Sequence, residues 1–162
     1  DYFHIIFHLF STLGNRTMSC HITFGGYRNR KRIARNAVEW FMVNRKLHRF
    51  NTFIHIIDRR TWHEKADGFC NSIDTLSRPR YFEIELDNRM NHEHYLITLF
   101  HELRHVEQRL RGMHRQRYTS RVINSWMGTE VNIDTPYEHE PWEVDAHTME
   151  SVFLEQYNAT LH

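Results

Sequence analysis

The stretch His101-Glu102-Leu103-Arg104-His105 lies within a regular pattern of apolar residues. From Asn91 to Gly112 these residues recur at steps of three and four positions, which predicts a helix with one face in the core. Asn91 is a favourable N-cap, and Gly112 is a favourable stop. The apolar face consists of Tyr95, Leu96, Leu99, Phe100, Leu103, Val106 and Leu110. His101 and His105 therefore lie beside the buried face of a predicted helix.

Two histidines separated in this way, with a glutamate after the first, form the H-E-x-x-H motif of zinc hydrolases. On a helix, His101 and His105 share one face and can hold one zinc ion. Glu102 is then the predicted general base. The chain has 14 histidines among 162 residues, so the motif needs support from its context. The alternative is a histidine-rich helix whose polar face is merely solvated.

A catalytic zinc site usually takes three protein ligands and leaves one position for water. A third histidine six residues after His105, as in metzincins, is excluded because Arg111 occupies that position. The better candidate is Glu143, which follows His105 by 38 positions in Glu140-Pro141-Trp142-Glu143-Val144-Asp145-Ala146-His147. Glu143 is therefore the predicted third ligand.

This acidic segment also predicts the start of a second long helix, because Pro141 is well suited to a first helical turn. An apolar stripe that can pack on the first helix follows, formed by Trp142, Ala146, Met149, Phe153 and Tyr157. His147, one turn beyond Glu143, is the rival third ligand. Without a metal, the segment is explained as an ordinary acidic helix N-terminus.

The order of these motifs resembles the gluzincins, and in particular the compact single-domain proteins called minigluzincins. A strand, H-E-x-x-H, a tyrosine and P-W-E-x-[DE]-A follow one another between Ser19 and His162, about nine tenths of the chain. The resemblance implies a zincin-like α+β fold, with a small mixed or antiparallel sheet packed against an active-site helix and a glutamate-bearing C-terminal helix. It also implies a zinc metallopeptidase that cleaves a peptide or protein substrate. Asp145 departs from larger gluzincins, where the second acid follows the ligand glutamate by more residues.

Tyr137 precedes Glu143 by six residues. It is the predicted oxyanion donor, because gluzincin-like proteins often present a tyrosine or a histidine near the glutamate helix. His139 and His114 are weaker candidates for this role. For all three, an ordinary loop residue is the alternative.

The segment from Tyr81 to Leu86 alternates apolar and polar residues, which predicts a strand with one buried face. In zincins the strand before the motif helix commonly forms the sheet edge that lines the cleft. An extended peptide can add to such an edge by backbone hydrogen bonds. The predicted substrate-binding residues are Phe82, Glu83, Ile84 and Glu85. The alternative is an edge strand protected by its own glutamates.

Residues 18–162 form one predicted domain, since 40% hydrophobic and 25% charged residues are ordinary for a globular chain of this length. Further patterns predict strands at 20–24, 53–57 and 68–73 and a helix at 30–47. Residues 1–17 are apolar and aromatic but lack the basic start and the length of a secretory signal. They are interpreted as an extra edge element or as an upstream translated segment.

Cys20 and Cys70 are the only cysteines, which excludes a disulfide framework and fits a reducing compartment. We therefore expect a cytoplasmic protein without a membrane anchor. Cys70 invites comparison with deformylase-like amidases, in which an upstream cysteine is the third ligand. A half-buried structural thiol is the simpler interpretation of Cys70.

Two arginine-rich runs leave a nucleic-acid partner open, because such clusters can contact phosphate backbones. The runs are Arg28, Arg30, Lys31, Arg32 and Arg35, and Arg104, Arg109, Arg111, Arg115, Arg117 and Arg121. Solvated helix faces are the preferred explanation, and the net charge is only +1. A zinc-stabilised module without catalytic activity, structural or associated with nucleic acid, is the remaining alternative.

Overall fold

The computed structural model describes residues 20–27, 29–60 and 66–161. Three helices and two sheets give the α+β class predicted from the sequence. In chain order the elements are β1 (Cys20–Gly26), α1 (Lys31–Asn44), β2 (Thr52–Arg59), β3 (Gly68–Ser72), β4 (Tyr81–Asp87), α2 (His92–Arg111), β5 (His114–Tyr118), β6 (Val122–Trp126), β7 (Thr129–Val131) and α3 (Pro141–Ala159). The predictions for residues 1–17 lie outside the described part.

The larger sheet is mixed, with strand order β1-β2-β4-β3. β1, β2 and β4 run parallel, and β3 pairs with β4 in the opposite direction. β-Branched residues on neighbouring strands face one another, such as Ile56 of β2 and Ile84 of β4. Both side chains are almost fully buried, as expected for the face of a sheet that is covered by helices.

The prediction that β4 lies at the sheet edge is wrong. Its backbone pairs with β2 on one side and with β3 on the other. An incoming peptide therefore cannot add to the four predicted residues, Phe82, Glu83, Ile84 and Glu85. The alternation of buried and half-buried side chains along β4 is confirmed, but alternation reports which face is buried and not which strands pair. Among the described strands, the one at the sheet edge beside α2 is β3.

Helix α2 begins and ends where the sequence predicts. The Asn91 side chain accepts a hydrogen bond from the backbone N–H of His94 at 2.9 Å. At the other end, Gly112 adopts a left-handed conformation with φ of 70°, which glycine permits without steric cost. Helix α2 packs against β3 and β4, so the motif residues are carried to the edge of the larger sheet.

The three helices meet in an aromatic cluster centred on Phe100 of α2. Its ring lies 5.5 Å from that of Trp40 on α1 and 5.6 Å from that of Tyr157 on α3, both edge to face. Phe153 of α3 contacts Phe41 of α1 in the same way, at 5.1 Å. Such edge-to-face pairs fix the relative orientation of the helices as well as burying apolar area.

A charged network joins the same three helices. Glu107 of α2 is fully buried and accepts hydrogen bonds from Arg45, Arg104 and Arg111 at 2.7–3.0 Å. Burial opposes its ionisation, but these guanidinium groups outweigh the burial and hold the pKa of Glu107 below its usual range. Arg104 also makes two bonds to Asp145 of α3, at 2.7 and 3.0 Å.

The smaller sheet consists of β5, β6 and β7 in antiparallel order. It is attached to the start of α3 by His114, whose ring stacks on Trp142 at 3.9 Å between centroids. None of the helices in the described part of the chain is long and apolar enough to cross a membrane.

Replacing Phe153 by alanine should lower the free energy of unfolding by about 3–5 kcal/mol, because it leaves a cavity at the junction of the three helices. Denaturant unfolding followed by circular dichroism measures this. The neighbouring Val152 is 37% exposed, so Val152→Ala should change stability by less than about 0.5 kcal/mol. Equal losses in the two variants would contradict the packing described.

Candidate metal centre

The two motif histidines and Glu143 converge on one point between α2 and α3. The Nε2 atoms of His101 and His105 are 3.2 Å apart. The carboxylate oxygens of Glu143 lie 3.2 Å from His101 Nε2 and 3.3 Å from His105 Nε2. These side chains are buried or half-buried and form a group that could hold a metal ion.

The spacing of these atoms fits a tetrahedral ion. With bonds of about 2.0–2.1 Å, a tetrahedral zinc ion separates its ligand atoms by roughly 3.3–3.4 Å. Burial opposes the charge on Glu143, yet hydrogen bonds from the two imidazoles hold its pKa far below the usual range. A buried carboxylate aimed at two imidazole nitrogens is the donor set that a divalent cation requires.

His101 is oriented by an acid that the sequence interpretation missed. Its Nδ1 lies 2.7 Å from Glu150 Oε2, on the side of the ring opposite Glu143. Burial opposes protonation of His101, but the hydrogen bonds to Glu143 and Glu150 prevail and raise its pKa to about 10. Glu150 follows Glu143 by seven residues, two helical turns, so this spacing was the available signal.

His105 is oriented by an amide instead of a carboxylate. Its Nδ1 lies 3.0 Å from Gln108 Oε1, one turn further along α2. The Gln108 amide donates to Asp145 Oδ2 at 2.7 Å and to the Trp142 carbonyl at 2.9 Å. Because both donors are used, the amide oxygen is presented to His105. Asp145 therefore supports a motif histidine only through Gln108.

His147, the rival third ligand, lies on the outer side of His101. Its Nδ1 is 3.4 Å from Glu150 Oε2, and its ring is largely exposed. With His101 and Glu150 it forms a second group of ligand atoms that are close together. His147 is not part of the group that contains both motif histidines. The third member of that group is Glu143.

Glu102 is 4% exposed and points toward the edge strand. Burial raises its pKa to about 7, against the opposing effect of the two histidines. Gly68 of β3 leaves the space that its carboxylate occupies, since a Cβ atom at Gly68 would lie 2.9 Å from Glu102 Oε1. Strand β3 therefore approaches the motif helix closely because residue 68 has no side chain.

Tyr137 lies beside the centre, in the 3-10 turn Tyr137–His139. Its hydroxyl donates to Glu143 Oε2 at 2.6 Å, although 58% of the residue is exposed. Burial of the hydroxyl and the charge of Glu143 raise the pKa of Tyr137, so it stays protonated. His139 is exposed in the same turn, while His114 is buried against Trp142.

Cys70 is half-buried in β3 and remains outside the metal-ligand groups found in the described part of the chain. Burial and the nearby charge of Glu102 raise the pKa of its thiol. In the described part of the chain, Glu143 and not Cys70 forms a group of close ligand atoms with both motif histidines. This geometry favours the structural role of Cys70 over the deformylase-like arrangement.

The arginines of the second run do not form one surface. Arg104 and Arg111 turn inward to Glu107, and Arg109 is partly buried against Gln116. Arg115 and Arg117 are exposed on β5. The run therefore offers fewer groups to a phosphate backbone than its sequence suggests.

Comparison of the chain with protein-family models, with curated proteins and with solved structures finds no match. Functional inference therefore rests on the geometry of the centre.

Replacing Glu143 by alanine should reduce zinc affinity by several orders of magnitude, because only two imidazoles remain. His147→Ala should leave the affinity within a few-fold of the parent. Competition with a chromophoric chelator at one pH measures both. Full affinity in the Glu143 variant and loss in the His147 variant would move the site to the outer group.

Removing the carboxylate behind His101, in Glu150→Ala, should weaken zinc binding by about 10–100-fold, as is typical for groups that orient a metal-binding histidine. The exposed Glu155 on the same helix provides the control, and Glu155→Ala should leave affinity unchanged. The same chelator competition reports both values. An unchanged affinity in Glu150→Ala would show that His101 needs no carboxylate partner.

Proposed function

We propose that this protein is a zinc-dependent metallopeptidase. The observation that carries the proposal is the approach of Glu143, from α3, to within 3.2–3.3 Å of both histidines of the H-E-x-x-H motif. A mixed imidazole and carboxylate set with an open fourth position favours zinc among the common divalent metals.

The residues around the centre have separate tasks in peptide-bond hydrolysis. A zinc ion would supply an acidified water and a Lewis acid for the scissile carbonyl. Glu102 accepts the water's proton and returns it to the leaving amine, a task that suits a carboxylate with a pKa of about 7. Tyr137 keeps its proton, and its hydroxyl, which donates to Glu143 in this structure, would turn from Glu143 to donate to the developing oxyanion.

The supporting contacts hold these groups in place. Glu150 and Gln108 fix the two imidazole rings through their Nδ1 atoms, so that both Nε2 atoms face the same point. Such partners fix ring orientation and increase the basicity of the ligating nitrogen. An enzyme that must keep one coordination position open benefits from protein ligands that cannot rotate.

In place of β4, we propose β3 as the strand to which a substrate peptide adds. β3 is the last strand of the larger sheet, so one edge of its backbone has no partner strand among the described residues. Gly68 places this strand next to Glu102, and an extended peptide added to β3 would pass close to the general base. The arrangement of a mixed sheet, the motif helix and a glutamate helix also supports the proposed zincin-like fold and the resemblance to gluzincins.

The partners of the proposed enzyme are peptides or proteins. Nucleic-acid binding remains the less favoured alternative from the sequence, and a cytoplasmic location remains a prediction. Retention on DNA that falls steeply with salt concentration would indicate phosphate contacts, since each released counterion contributes to that dependence.

Substituting Glu102 by glutamine should retain zinc and abolish hydrolysis. The amide is nearly isosteric and is not a ligand, but it cannot accept a proton, so the rate should fall about 100-fold or more. Mass spectrometry of a digested peptide library measures cleavage, and elemental analysis measures zinc. Glu93→Gln, exposed in the first turn of α2, is the control.

Undiminished cleavage in Glu102→Gln would remove this residue from the mechanism. One zinc ion per chain with no cleavage of the library by the parent protein would instead favour a zinc-stabilised, non-catalytic module.

A further inference from the structure

A cavity of about 70 Å³ lies directly beside the metal centre. Two of the ligands, His105 and Glu143, form one wall of it. The remaining lining residues come from β3, β4, α2, β5 and the start of α3. They are Cys70, Ser72, Phe82, Arg109, His114 and Trp142. A substrate bound at the centre would therefore have a neighbouring side chain next to this cavity.

Arg109 is the cavity's source of positive charge. It is the one lysine or arginine among the described lining residues. The other basic group outside the metal ligands, His114, is neutral at physiological pH, because burial and the charge of Arg109 lower its pKa to about 3. Apart from the two metal ligands, the cavity thus combines one fixed cation with neutral, partly aromatic lining residues.

The positive charge of Arg109 has no carboxylate partner among the ion pairs of the described residues. Its Nη1 atom donates to the neutral amide oxygen of Gln116 at 2.8 Å, and none of the ion pairs found among the described residues includes it. By contrast, Arg104 of the same helix is paired with the carboxylates of Glu107 and Asp145. Burial accordingly lowers the pKa of Arg109, whereas the carboxylates raise that of Arg104. A partly buried cation without an anion gains free energy when a carboxylate arrives.

The size of the cavity restricts what can enter. An enclosed apolar cavity of about 150 Å³ holds a benzene ring, and this one has about half that volume. A space of this volume favours a carboxymethyl group over a phenyl or indole ring. Phe82 and Trp142 contribute apolar walls that suit the methylene group of such a side chain.

Glu143 also lines this cavity, and its negative charge raises the pKa of the lining residues Cys70 and His114. Its oxygens are directed to the imidazole pair and to the Tyr137 hydroxyl. In the metal-loaded protein its charge is offset by the cation that it binds. With the charge of Glu143 offset in this way, Arg109 is the charged lining residue that favours an anion.

We propose that this cavity is a substrate subsite that binds a small carboxylate adjacent to the scissile bond, with Arg109 as the specificity-determining residue. The inference rests on the proposed peptidase function and names its substrate class. The carboxylate has two possible sources, the side chain of an aspartate within a peptide and the free carboxylate of a peptide C-terminus. Both present the same group to the guanidinium.

Cleavage by the zinc-loaded protein tests the subsite and distinguishes these sources. One peptide set carries Asp, Asn or Leu at each position and is amidated at the C-terminus, and a second set has a free C-terminus. We expect a preference of roughly 10–100-fold for the carboxylate, since one hydrogen bond to a charged group is worth about 1.5–3 kcal/mol. Asp over Asn in amidated peptides identifies the side chain, and dependence on the free terminus identifies the terminal carboxylate.

Variants of Arg109 assign the preference to this residue. Arg109→Leu should remove the preference while still cleaving peptides with Leu, and Arg109→Lys should retain part of it. The exposed Arg117 of β5 is the matched control, and Arg117→Leu should behave as the parent protein. Zinc content and unfolding are checked for each variant. Cleavage without a carboxylate preference, or a preference that persists in Arg109→Leu, would overturn the subsite and leave the peptidase proposal intact.

Binding provides a second readout that does not need turnover. Calorimetric titration of the zinc-loaded protein with succinate and with its neutral diamide should show binding of succinate that weakens roughly 10-fold or more in Arg109→Leu and not in Arg117→Leu. If no peptide is cleaved, the peptidase proposal fails. The titration then tests by itself whether the cavity binds a carboxylate. Equal succinate binding by the Arg109 and Arg117 variants, or none by the parent, would overturn it.

Discussion

Arg104 donates to Asp145 on α3 and to Glu107 on its own helix, with all three bonds between 2.7 and 3.0 Å. It lies inside the H-E-x-x-H motif, so the arginine that joins the two helices sits between the two histidines that face the metal centre. A buried cation and its carboxylates tolerate little displacement, because separation leaves charges without partners in a poorly solvated place. The register of α3 against α2 therefore depends on this pair, and with it the position of Glu143.

Three faces of helix α2 have different roles in the molecule. One face places Phe100 in the aromatic cluster that joins the three helices, and a second buries Glu107 among arginines. The third presents the two histidines to Glu143. Since these faces belong to one rigid helix, the packing that stabilises the fold also sets the distances at the metal centre. The same helix carries Arg109 one turn beyond His105, at the neighbouring cavity.

Several features of this arrangement were readable from the sequence because they are local or periodic. The caps of α2, the pairing of its two histidines on one face and the start of α3 at Pro141 all follow from spacing within one helix. The choice of Glu143 over His147 was left open by spacing, since they lie one turn apart. The structure brings Glu143 to both motif histidines, while His147 lies on the outer side of His101.

The sequence by itself determined the helices, the four strands of the larger sheet, the face of α2 that bears the motif and the candidate ligands, because each depends on residues a few positions apart. The three strands of the smaller sheet were not predicted. Only the tertiary structure decided that β3, and not β4, lies at the sheet edge, that Glu150 and Gln108 orient the imidazoles, and that Arg109 faces a cavity. These features depend on which elements become neighbours. Neighbours are selected by the combined burial of apolar faces and pairing of charges across the whole chain, which no single segment encodes.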